Sequence, residues 1–127
     1  MAKILVIDDD LDFVTAVRMV LEKEGHTVLH APNGGKGFQS ARTERPDLVI
    51  LDVMMDSVLD GISASRKMSE DEITAKIPII MVTSIASTSY ADYFPTDEYL
   101  HVQAFMSKPI SPASLVKQVD RLLPKQQ

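Results

Sequence analysis

The residues able to do chemistry stand at the ends of short apolar runs. Asp8, Asp9 and Asp10 follow Ile4-Leu5-Val6-Ile7, and Asp52 follows Leu48-Val49-Ile50-Leu51. Thr83 and Ser84 follow Ile79-Ile80-Met81-Val82, and Lys108 comes just after Ala104-Phe105-Met106. If the runs are parallel strands of one open sheet, ligands bind beyond their carboxyl ends, and several carboxylates, a hydroxyl and an ammonium meet at one rim. Carboxylates gathered without a counter-charge repel one another, so the cluster calls for a cation. With no cysteine and only three scattered histidines, oxygen donors dominate and favour Mg²⁺ over zinc. Mg²⁺ held by few protein oxygens keeps positions open for phosphate oxygens. A carboxylate can then be the nucleophile toward phosphorus, provided the metal and a fixed cation such as Lys108 neutralise the incoming oxygens.

The elements that must position these groups are legible from periodicity. The runs at 4–7, 48–51 and 79–82 are continuous rather than alternating, as in strands buried on both faces of a parallel sheet. Thr27-Val28-Leu29 and Ala104-Phe105-Met106 are weaker strand candidates. Between the strands, Phe13, Val17, Val20 and Leu21 share one helical face, and so do Leu115, Val119, Leu122 and Leu123. Gly25 marks the end of the first helix. Ser111 caps the last one, with Pro112 at its first position. Five β-α units over the whole length predict a doubly wound α/β sandwich, with helices on both faces of a five-stranded parallel sheet.

The ordered set Asp8-Asp9, Asp52, Thr83 and Lys108-Pro109 resembles the receiver domains of bacterial two-component response regulators across essentially the whole chain. The resemblance implies a single receiver domain over 1–127 with flavodoxin-like strand order. It also implies a phosphorylation-dependent signalling switch. Asp52 accepts a phosphoryl group from a histidine kinase or a phosphotransfer protein. Asp9, Asp52 and the Met54 carbonyl bind Mg²⁺, with Asp8 acting mainly through water. Thr83 bonds one phosphoryl oxygen and Lys108 pairs with another. Phe105 occupies the family's aromatic switch position, and the Lys108-Pro109 bond is often cis in such proteins. Such a domain is no enzyme toward other substrates and catalyses only its own phosphorylation and dephosphorylation. It signals through the surface of the fourth helix, fifth strand and fifth helix to an output partner that the sequence does not name, and a homodimer is left open.

The chain also departs from the family pattern. Asp56 stands four residues after the acceptor, where a proline is usual, and Gly61 comes one residue late, so the loop after the third strand is expected to be remodelled. The segment from Thr83 to Lys108 is about three residues longer than usual and holds Pro95, which interrupts a helix. Tyr90, Tyr93, Phe94 and Tyr99 place four of the seven aromatics in ten positions. They serve either local packing or a partner surface, where tyrosine is enriched.

Other readings carry less. An acidic pair after a strand, taken alone, often just suits a helix N-terminus, and a lone Asp52 is equally a loop acid. It is the joint order that makes a site. Asn33-Gly34-Gly35-Lys36-Gly37 lacks the Ser or Thr that must follow the lysine of a phosphate loop, and reads as a turn entering the second helix. Phe105 is equally a core aromatic. His26, His30 and His101 show no ligand spacing and read as surface or strand-end residues. A haloacid-dehalogenase phosphohydrolase would use Asp8 as nucleophile and Asp10 as acid, but leaves Asp52 without a role. A flavodoxin-like cofactor binder lacks a phosphate loop after the first strand.

The bulk properties agree with a small switch. A net charge of -5 with scattered basic residues lacks the clustered positive field of a direct nucleic-acid binder. Without cysteine there are no disulfides. The run at 4–7 is far too short for a signal peptide or membrane span, so a soluble cytoplasmic protein is expected.

Overall fold

Apolar runs that cannot face water on either side form the middle of the molecule. The computed structural model describes residues 2–52, 58–83, 104–107 and 110–123. Its strands are β1 (Lys3–Ile7), β2 (Thr27–Ala31), β3 (Leu48–Asp52), β4 (Ile79–Thr83) and β5 (Ala104–Ser107), and its helices are α1 (Leu11–Lys23), α2 (Gly34–Glu44), α3 (Val58–Glu70) and α4 (Pro112–Leu122), the last helix. The strands form one sheet in the order β2-β1-β3-β4-β5, and every pairing is parallel. This is the doubly wound arrangement expected from the alternation of strands and helices.

Alternation along each strand divides the core in two. Leu5, Ile7, Val49, Leu51, Ile79 and Met81 pack against Ala41 of α2 and Ala64 and Met68 of α3. Ile4, Val6, Leu48, Ile50, Ile80 and Val82 pack on the other face against Val14, Val17 and Leu21 of α1 and Leu115 and Val119 of α4. Successive side chains point to opposite faces, so burial on both sides demands the unbroken apolar runs seen in the sequence.

Local signals fix the helix ends. Gly25 adopts a left-handed φ of 92°. The His26 and Gly25 amides donate to Leu21 and Glu22 carbonyls, which closes α1 in a Schellman motif. The Asn33 side chain accepts from the Lys36 amide and caps α2, so the glycine-rich stretch is a helix entry, as expected. The Ser111 hydroxyl accepts from the Ser114 amide ahead of Pro112. Two details of the helical faces differ from the periodic reading. In α1 the stripe is centred on Val14, Val17 and Leu21, while Phe13 and Val20 flank it half-buried. Leu123 leaves the helix as the extended C-cap of α4, yet still packs against the core.

Gly37 sets how closely α2 approaches the sheet. A Cβ at this position would stand under 3.0 Å from three side-chain carbons of Ile7, which is fully buried. A β-branched side chain held on all sides cannot swing away. Gly37→Ala is therefore expected to destabilise the protein by about 1–2 kcal/mol, because overpacking of about 1–3 kcal/mol outweighs the gain in helix propensity. Urea unfolding checks this, and an unchanged or raised midpoint contradicts the close approach.

Candidate functional site

The register of the central strands brings the acidic residues together. β1 pairs with β3 as Ile4↔Leu48 through Ile7↔Leu51, and one further step sets Asp8 opposite Asp52. Both residues continue the even-numbered rows, Ile4-Val6 and Leu48-Ile50, so both belong to the α1/α4 side of the sheet. Asp8 is 0% and Asp52 3% exposed, while Asp9 is exposed. Each offers a carboxylate oxygen, and these oxygens lie within 4.8 Å of one another. At that spacing two unit charges repel by about 3 kcal/mol with an effective dielectric near 20. A hard divalent cation with oxygen ligands answers both the charge and the donor set. The arrangement therefore fits Mg²⁺.

The loop after β1 is held by several bonds. The Asp8 amide donates to the Ala31 carbonyl at 3.0 Å, and the Asp8 Oδ1 accepts from the Asp10 amide at 2.8 Å. His30 Nε2 lies 2.7 Å from the Asp8 carbonyl oxygen. The Asp10 carboxylate accepts from the Asp12 and Phe13 amides, which makes it the N-cap of α1. Of the three consecutive acids, two thus face the rim and the third serves the helix. A phosphohydrolase using Asp10 as its acid would have to give up that cap. His30 lies at the strand end, as read from the sequence, but its contact with the Asp8 carbonyl was not foreseen. Its position at the end of a strand, one strand away from the acids, was the available signal.

The remaining residues are placed only in part. Asp52↔Val82 and Thr83↔Ser107 are register partners, so the Thr83 backbone ends β4 beside β3. Ser107, which ends β5, directly precedes Lys108 in the sequence. Met54, Lys108 and the Lys108-Pro109 bond lie outside the described residues, as do the side chains of Thr83 and Phe105. The loop holding Asp56, the long segment with Pro95 and the aromatics Tyr90, Tyr93, Phe94 and Tyr99, and His101 also lie outside them. Among the described residues no helix is long and apolar enough to cross a membrane.

Comparison with known proteins agrees with this geometry. The chain is 34% identical over 123 residues to protein PilH of Pseudomonas aeruginosa, covering 97% of this chain and 98% of that protein. It is 36% identical over 121 residues to the alkaline phosphatase synthesis transcriptional regulatory protein PhoP of Bacillus subtilis, covering 95% of this chain and 48% of PhoP. The chain thus spans nearly all of one relative and about half of the other. Among solved structures, the chemotaxis response regulator CheY4 of Vibrio cholerae superposes with a TM-score of 0.84 at 28% identity, covering 97% of this chain and 99% of that one. The receiver domain of sensor histidine kinase PA1611 from Pseudomonas aeruginosa, which has a magnesium ion coordinated in its active site cleft, superposes with a TM-score of 0.83 at 26% identity, covering 95% and 96%. A sequence profile described as the response regulator receiver domain matches residues 4–120. With the strand order, the buried acidic pair and this match over nearly its whole length, the chain belongs to the response regulator receiver domain family.

Proposed function

We propose that the chain, as one phosphoacceptor domain over 1–127, takes a phosphoryl group onto Asp52 from a histidine kinase or phosphotransfer protein and works as a phosphorylation-dependent switch in two-component signalling. The observation that carries this reading is the meeting of three carboxylates within 4.8 Å at the ends of β1 and β3, two of them buried. The Asp52 oxygen attacks phosphorus as the bond to the donor's nitrogen breaks. The imidazole leaves with the electron pair and takes up a proton, and the product is an acyl phosphate. Asp9, Asp52 and the Met54 carbonyl would hold Mg²⁺, with Asp8 acting mainly through water. When bound, the ion neutralises charge on the phosphoryl oxygens. Thr83 and Lys108 take the remaining oxygens. The domain acts in the cytoplasm and catalyses only its own phosphorylation and dephosphorylation.

Acetyl phosphate tests the reading without a kinase. Incubation with Mg²⁺ is expected to add one phosphoryl group by intact mass, mapped to Asp52. No adduct, or one formed equally in chelator, overturns it.

The switch itself is a two-state equilibrium biased by the phosphoryl group. The Thr83 hydroxyl is drawn to a phosphoryl oxygen, and Phe105 turns into the space it leaves. Thr83→Ala is expected to be phosphorylated yet lose the resonance shifts around Phe105 that phosphorylation causes in wild type. Identical shift changes in both proteins would break this coupling.

A further inference from the structure

We infer that His30 is a positioning residue for the acidic rim, a role that rests on reading that rim as a Mg²⁺ and phosphoryl site. The β1-β2 ladder pairs Val6↔His30 and Ile7↔Ala31, and the Asp8 amide still donates to Ala31. Beyond that point the two chains part. β2 ends at Ala31 and the Asn33 side chain caps α2, so the regular ladder stops short of the Asp8 carbonyl. The imidazole fills that position, with Nε2 2.7 Å from the oxygen. A carbonyl accepts, so Nε2 carries the proton and donates.

The bonded carbonyl belongs to the Asp8-Asp9 peptide. Peptide planarity ties its orientation to the position of the Asp9 Cα. Fixing the oxygen therefore also fixes where the exposed Asp9 starts, while Asp8 is held from its own amide and from Oδ1. His30 touches neither phosphorus nor metal. It acts one step back, as the outer partners that orient metal ligands do.

Two replacements separate this role from simple packing. His30→Leu keeps an apolar body but removes the donor, and His30→Gln keeps an amide N–H able to reach the place of Nε2. In metal-free protein, the Asp9 and Asp10 amide resonances are expected to move in His30→Leu and to return most of the way in His30→Gln. Mg²⁺ titrated into each protein is expected to bind about tenfold more weakly to His30→Leu, at the lower end of the usual effect of outer partners, and within about threefold of wild type to His30→Gln. Thermal melts in chelator show whether the variants remain folded. Wild-type Mg²⁺ affinity in folded His30→Leu overturns the inference, and so does equal loss in both variants. Acetyl phosphate labelling of wild type tests the underlying reading separately. Wild type that binds Mg²⁺ yet takes no phosphoryl group sinks the proposed function, while the effect of His30 on metal affinity still decides its positioning role.

Discussion

Asp52→Asn is expected to take up no phosphoryl group from acetyl phosphate or a kinase while keeping the wild-type fold. The amide has the size and shape of the carboxylate but is a poor nucleophile, and the backbone at this position remains paired with β4. Stability in chelator is expected to rise by about 1–2 kcal/mol, since the substitution removes one side of a carboxylate repulsion of about 3 kcal/mol. The amide hydrogens that need new partners offset part of that gain. Addition of Mg²⁺ should then raise the melting temperature of wild type through binding to the folded state, and raise that of the variant far less. Intact mass and calorimetric melts with and without Mg²⁺ check both halves. Phosphorylation at the wild-type rate would move the acceptor elsewhere, with Asp8 the next carboxylate to examine.

The second large effect concerns the metal. Chelation of Mg²⁺ is expected to stop phosphorylation, and Asp9→Ala to weaken Mg²⁺ binding more than any other single rim substitution that leaves the acceptor in place. Wild-type affinity is expected in the micromolar-to-millimolar range of sites with few protein ligands and several retained waters. Asp9 is the exposed member of the cluster, so its removal leaves no cavity and the loss appears as affinity rather than as unfolding. A drop of at least about tenfold by calorimetric titration, with melting in chelator near wild type, is the expected pair of results. Unchanged affinity would take Asp9 off the ligand set.

What the sequence reveals and what it conceals follow from burial. β1, β3 and β4 are central and covered on both faces, which only apolar residues in unbroken runs satisfy, so they were plain to see. β2 is an edge strand with Thr27 exposed and Leu29 and His30 half-buried, and its mixed composition made it a weaker candidate. Asp8, Asp9 and Asp52 were identifiable because a charged residue directly after a buried strand has few places to go except the rim. Asp10 carries the same chemistry but spends its carboxylate on two amides, and composition alone does not distinguish a cap from a ligand. His30 reads from the sequence only as a surface or strand-end residue because its contact is with a backbone oxygen. Backbone groups leave no mark on the side-chain pattern, so only the register between β1 and β2 exposes the contact. The same holds for Gly37, whose meaning depends on Ile7 across the interface.

The parallel pairing of β1 with β3 has a consequence for how the protein opens. These two strands each have a neighbour on both sides and supply fully buried residues to both cores. Their amides are expected to exchange with solvent mainly through global unfolding, whereas those of the edge strand β2, with Thr27 exposed, open at lower free energy. Asp8 directly follows β1 and Asp52 ends β3, so both are tied to central strands. A fluctuation that frays an edge therefore leaves the two buried carboxylates side by side, and they separate only in the cooperative step that dissolves the sheet.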